Sequence, residues 1–104
     1  MDVFEALADP TRRRVVRLLV VRPHRAGELA DATGMSQPAM SRHLKILIGS
    51  GIIEDARIPE DARVRLFKLQ PASLDAVQTF LDQLQAEWQT QLRSFKRHVE
   101  EKPQ

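Results

Sequence analysis

The stretch Gly27 to Leu47, GELADATGMSQPAMSRHLKIL, constrains the fold more than any other part of this chain. It reads as two short helices joined by a tight turn. Leu29 and Ala30 lie on the apolar side of the first. Gly34 falls just past its end, where the chain needs a residue at ease with positive φ. Ser36 then supplies an N-cap for the second helix. Pro38 fits its first turn, where a missing N–H leaves no intrahelical bond unmade. Met40, Leu44 and Leu47 recur at i, i+4 and i+7 and so face a core. The opposite face keeps Gln37, Ser41, Arg42 and Lys45.

These four side chains all donate hydrogen bonds, and no acid interrupts the chain from Thr33 to Ile53. A helix spanning 36–50 with such a face suits the DNA major groove, where base edges and phosphates offer acceptors. The charge distribution agrees. The formal net charge is only +2. Residues 10–50 nevertheless carry eight Arg and Lys against Glu28 and Asp31, a local net of +6. A concentration of cations around the reading helix is what a polyanion-binding surface requires. The bland alternative is ordinary solubilising arginine.

The rest of the chain builds a frame around that unit. Val3, Phe4, Leu7 and Ala8 suggest a short first helix. Asp9 caps a second helix with Pro10 at its first position. Val15, Val16, Leu18, Leu19 and Val20 mark that helix as mostly buried, with Arg12, Arg13, Arg14 and Arg17 at its start and on its exposed side. It ends at Arg22-Pro23-His24. After Gly49 and Gly51, residues 52–58 and 63–69 read as two strands, with a turn at Pro59-Glu60-Asp61-Ala62. Arg57, Arg63 and Arg65 sit near the tip of this hairpin, within reach of phosphate or a minor groove. Glu54, Glu60 and Asp61 are close enough in sequence to pair with them instead.

Pro71 and Ser73 introduce a last helix over 73–99. Leu74, Val77, Leu81, Leu84, Trp88, Leu92, Phe95 and Val99 form one stripe at a mean spacing near 3.6. About 26 residues at ~1.5 Å each make it ~39 Å long. That exceeds what a small domain needs, so a second copy of the chain is the simplest cover, with folding back on its own domain as the alternative. The tail from Glu100 is polar and reads as frayed.

Taken in order, these segments resemble the ArsR/SmtB family of bacterial winged-helix repressors. Phe4-Glu5-Ala6-Leu7-Ala8-Asp9-Pro10-Thr11-Arg12 is similar to the family's opening. Ser36-Gln37-Pro38-Ala39-Met40-Ser41-Arg42-His43-Leu44-Lys45 is similar to its recognition helix, and Gly51-Ile52-Ile53, Arg63 and Phe67-Lys68-Leu69 to its wing. About two-thirds of the chain is covered. The resemblance implies a mainly α fold with a small β-hairpin, a winged helix-turn-helix in the order α-α-α-α-β-β-α, forming a single domain over 1–104. It also implies a wing over 52–69 and a dimer through the first and last helices. Ser36, Gln37, Ser41, Arg42 and Lys45, with Arg57, Arg63 and Arg65 of the wing, are then the expected DNA contacts. Phe4, Leu7, Leu81, Leu84, Trp88 and Leu92 are the expected dimer contacts. The family often has Gly where this chain has Ala62.

Many relatives sense metals, through cysteines on the third helix or acids and histidines on the last. Arg25 and Gly27 occupy the first positions here. Asp75 has Val77 where a His is expected, and the chain has no cysteine. No metal or other cofactor is therefore expected, and disulfides are excluded. Ser41 and His43 are two apart on a helix and do not face each other. No phosphate loop or nucleophile elbow appears, so an enzyme is not expected. His43 either braces the recognition helix or contacts a phosphate. With neither a membrane span nor a signal segment, the expectation is a soluble cytoplasmic protein whose partners are double-stranded DNA and itself. The effector is unknown. A winged-helix module that docks a protein, or a non-specific architectural DNA binder, are the competing readings.

Overall fold

The structure is a computed structural model that describes residues 1–58 and 60–101, with Ala62 described in its backbone only. Its elements are α1 (Val3–Ala8), α2 (Pro10–Val21), α3 (Ala26–Thr33), α4 (Gln37–Gly49), β1 (Ile53–Ile58), β2 (Asp61–Leu69) and α5 (Pro71–Glu100). This is the expected α-α-α-α-β-β-α order. Two compact units are present, Met1–Leu74 and Asp75–Gln104.

Local chemistry sets the boundaries in the first unit. Asp2 caps α1 by accepting from the Glu5 amide at 2.8 Å. Asp9 caps α2 by accepting from the amides of Thr11 (2.8 Å) and Arg12 (3.1 Å), with Pro10 in the first turn. The Arg12 amide bond, chiefly, holds the Asp9 carboxyl below the usual carboxylate range. Slight burial opposes it, while the Thr11 amide and the charge of Arg12 add to it. At α3 the Glu28 carboxylate accepts from the Arg25 amide at 2.9 Å and pairs with Arg22. Those two contacts, in that order, lower its pKa. Gly34 ends α3 at φ 70°, and the Met35 amide reaches back to Ala30 O at 3.0 Å. That six-to-one bond is the Schellman closure, and a side chain at Gly34 would be strained there.

The core of this unit is Ala6, Val15, Leu19, Leu29, Ala30, Met40, Leu44, Leu47, Ile52, Ile53 and Phe67. Helix α4 packs against α1, α2, α3 and β1, so most of the unit helps to hold it. β1 and β2 form an antiparallel hairpin from Ile53↔Leu69 to Arg57↔Arg65, with an irregularity before Ile58. His24 extends it by a bridge: its amide donates to Phe67 O at 3.1 Å and its carbonyl accepts from Phe67 N at 2.8 Å.

Four expectations change. Val20 is 66 % exposed rather than buried, because it lies about 100° round the helix from Leu19 and off the Val15–Leu19 stripe. Arg12 is 8 % exposed rather than on the solvent side. It sits three residues before Val15, on the buried stripe. Strand β2 begins at Asp61, two residues earlier than expected, and Ser73 lies inside α5, where its hydroxyl donates to Gly51 O. Pro59 of the expected turn and residues 102–104 of the expected tail fall outside the described residues.

In the second unit α5 runs on as a single helix. Its described side chains include the half-exposed Phe80, Leu81, Leu84, Leu92 and Val99, and the more exposed Trp88 and Phe95. None of the described residues of α5 is buried. Among the described residues no helix is long and apolar enough to cross a membrane.

Candidate nucleic-acid interface

Helix α4 presents its two faces as the periodicity requires. Met40, Leu44 and Leu47 are buried, while Ser36, Gln37, Ser41, Arg42 and Lys45 are exposed. Ser36 accepts from the Ala39 amide at 3.2 Å, so its oxygen is committed to the cap and its hydroxyl hydrogen is left over. The side chains of Gln37, Ser41, Arg42 and Lys45 make no hydrogen bond or ion pair with any described residue. Four donors therefore stand in water on a helix whose other face is locked into the core. Such an arrangement is pre-organised for acceptors brought by a partner.

A cleft of 380 Å³ separates α4 from the wing, bordered by Gln37, Ser41 and Lys45 on one side and Arg65 and Phe67 on the other. The wing arginines are more engaged than those of α4. Arg65 binds the Asp55 carboxylate at 2.7 Å and lies over the Phe67 ring at 5.2 Å. Its partner is thus Asp55, an acid the sequence reading did not single out. Arg57 faces Arg65 directly across the ladder, and the Asp55 carboxylate offsets that like-charge contact. Arg63 pairs with Asp61 at 3.2 Å, and Lys68 with Glu54 at 2.9 Å. The Arg63–Asp61 and Lys68–Glu54 pairs are solvent-facing, and such pairs are worth about 0–1 kcal/mol each, whereas Asp55 is half-buried beneath Arg65. A phosphate can displace those two carboxylates at small cost.

The positive segment before the wing also divides. Helix α1 leaves its last four carbonyls without intrahelical partners. Arg12 donates from Nε to Ala6 O (2.7 Å) and from Nη2 to Glu5 O (3.3 Å). Arg13 donates from Nη1 to Leu7 O (2.8 Å) and Ala8 O (2.9 Å). Two arginines thus cap the C-terminus of α1, where positive charge also suits the helix dipole. Arg14 reaches Ala32 O at 3.1 Å and Arg22 binds Glu28 at 2.9 Å. Half of the eight cations in residues 10–50 are therefore structural. Arg17, Arg25, Arg42 and Lys45 make no side-chain contact of this kind with the described residues.

Arg12 carries one more contact. Its Nη1 stands 3.3 Å from Nδ1 of His43 on α4. The sequence reading missed Arg12 as an internal residue because residue type outweighed helical phase. Of the expected dimer contacts, Leu81, Leu84, Trp88 and Leu92 lie along α5 as described above, and Phe4 on α1 is half-exposed. Leu7 packs partly against the core of its own unit. Among the described residues no group of three or more His, Asp or Glu is placed to hold a metal ion.

Comparison with known proteins gives the same picture. Residues 9–55 match the family described as bacterial regulatory protein, arsR family. The chain is 42% identical over 79 residues to the HTH-type transcriptional regulator Rv2034 of Mycobacterium tuberculosis, covering 76% of this chain and 71% of that protein. It is 41% identical over 56 residues to the transcriptional repressor SdpR of Bacillus subtilis, covering 54% of this chain and 62% of that one. Among solved structures, an ArsR-like transcriptional regulator from Rhodococcus sp. RHA1 superposes with a TM-score of 0.86 at 28% identity, over 97% of this chain and 90% of the other.

Proposed function

Since the chain belongs to the ArsR family of bacterial regulatory proteins, we propose that it is a homodimeric repressor of transcription that binds an inverted-repeat operator. The observation that carries this reading is the exposed row Gln37, Ser41, Arg42 and Lys45. Its donors have no partner within the described chain, and its helix is fixed from behind by Met40, Leu44 and Leu47. In the proposed complex Gln37, Ser41 and Arg42 read base edges, and Lys45 with the wing arginines holds phosphates. Gln suits adenine and Arg suits guanine, each good pair giving ~1–3 kcal/mol of discrimination. The protein is a regulator and not an enzyme, and it acts in the cytoplasm, where the DNA is.

Two copies meet through the α5 stripe, which would otherwise leave Leu81, Leu84, Trp88 and Leu92 in water. Dimerisation links two reading helices, so an operator with two half-sites is bound with the gain of effective concentration. Its symmetry mirrors the two-fold of the protein.

Selecting genomic fragments that the purified protein retains tests the whole reading. The expected result is a small set of fragments sharing an inverted repeat, bound with strong salt dependence. Retention of all fragments alike would make it a non-specific binder. Retention of none would leave a protein-docking module.

A further inference from the structure

His43 stands where the exposed and buried stripes of α4 meet, and it is only partly covered. Its place on the helix is about 100° from Arg42, on the flank away from the wing cleft. A helix seated in a major groove faces bases along its middle and phosphate strands along its flanks.

The contact with Arg12 fixes the chemistry of the ring. A guanidinium has only N–H donors, so Arg12 Nη1 at 3.3 Å needs a lone pair on His43 Nδ1. An imidazolium has none to give. The contact thus needs the ring's hydrogen on Nε2, and the two nitrogens of an imidazole point in diverging directions. Arg12 cannot readily turn away, because it is nearly buried and its Nε and Nη2 are committed to Ala6 O and Glu5 O.

We propose that His43 is a phosphate contact of the DNA-binding face and that Arg12 is its positioning residue. Nδ1 is held from within by the guanidinium. The single N–H, on Nε2, is thereby presented outward to a backbone phosphate oxygen. Donation into Nδ1 also polarises the ring and strengthens Nε2–H as a donor. The two roles that the sequence leaves open for His43 thus belong to different nitrogens of one ring. This rests on the DNA-binding reading above.

Two variants separate the nitrogens. In His43→Asn the amide oxygen falls where Nδ1 was, so Arg12 keeps its acceptor and the outward donor is lost. In His43→Gln the longer amide restores a donor near the place of Nε2. His43→Asn is expected to melt like the wild type and to bind operator and random DNA more weakly by one common factor. Hydrogen bonds to charged groups are worth enough to make that factor roughly ten-fold or more. The salt slope should not change, since a neutral donor releases no counterion. His43→Gln should recover much of the loss.

Nitrogen-15 spectra of the wild-type imidazole should show Nδ1 bare and Nε2 protonated more completely than in a free neutral histidine, and Arg12→Met should bring the ratio back toward that of the free side chain. This arm needs no DNA and no variant of His43. An imidazolium or a protonated Nδ1 in the wild type would overturn the proposal. So would full affinity of His43→Asn, or a loss confined to the operator, which would make His43 a base reader. A wild type with the expected tautomer that binds no DNA would refute the DNA-binding reading instead.

Discussion

Replacing Trp88 by Glu tests the proposed dimer where its energy is concentrated. Trp88 is 63 % exposed in the single chain and lies between Leu84 and Leu92 on the same helix face. An aromatic side chain of this size buries on the order of 250 Å² at most. The exposed share is therefore about 150 Å², and at ~25 cal/mol per Å² its burial contributes ~4 kcal/mol per subunit. A symmetric interface contains the residue twice. Binding costs absorb much of this, since association pays for lost freedom and for ordering of side chains. If only half survives, removing both rings still weakens the dimer by more than two orders of magnitude, at 1.4 kcal/mol per ten-fold. Glu adds a charge that would lose water without gaining a partner. The expected product is a monomer of unchanged helix content, with weakened operator binding although Trp88 is not among the DNA contacts. Sedimentation velocity and operator titration on one sample, with circular dichroism beside them, measure all three. A stable dimer with full operator affinity would refute the reasoning.

Arg42→Ala should weaken operator binding by roughly ten-fold or more and random-DNA binding much less, as a lost base contact does; equal losses in competition titrations would move Arg42 to the phosphate class. Asp9→Ala should cost about 0.5–2 kcal/mol of stability at neutral pH through the lost N-cap, read from urea midpoints. Because the Asp9 pKa is lowered on folding, its contribution is complete above the ordinary carboxyl value of 3.8 and disappears as pH falls through the lower folded value, so wild type and variant should converge in acid. Zinc, cadmium or arsenite at micromolar levels should not release the protein from its operator, since the chain has no cysteine and the described residues offer no ligand cluster. Stoichiometric metal binding coupled to release, seen by calorimetry and a shift assay, would contradict this.

The features that were legible in the sequence are those decided within one or two turns. Asp9-Pro10 and Ser36-Gln37-Pro38 announce helix starts because capping needs only neighbouring amides. Gly34 announces a stop because only the local φ matters. Met40, Leu44 and Leu47 declare a face by phase alone. Arg12 was obscured because its charge argued for solvent while its phase, three residues before Val15, argued for the interior. Phase prevailed because the free carbonyls of α1 and the lone pair of His43 satisfy every part of the guanidinium that burial would otherwise strand. Those acceptors belong to other helices and become visible only once α1 and α4 are packed. The Arg65–Asp55 pair was hidden for a similar reason, since it depends on the strand register, and the bridge of His24 to Phe67 joins residues far apart in the chain.

The distribution of engaged and unengaged cations bears on how the work is divided on DNA. The wing balances its four acids with four bases, and Arg63, Arg65 and Lys68 each hold a carboxylate. Bringing phosphate to such a surface exchanges one anion for another, so the wing gains little net charge neutralisation. Helix α4 differs. Arg42 and Lys45 have no counter-charge among the described residues, and no acid lies between Thr33 and Ile53. A phosphate met by Lys45 would be neutralised outright and would release counterions. On the proposed reading, α4 would supply base recognition through Gln37, Ser41 and Arg42 and net charge neutralisation through Lys45. The wing, with Arg65 already stacked on Phe67 and oriented by Asp55, contributes orientation more than attraction. Phe67 is also the residue bridged to His24, so the arginine rests on a ring anchored in the core of the unit that holds α4. In this arrangement, affinity and register come from different elements of one small core.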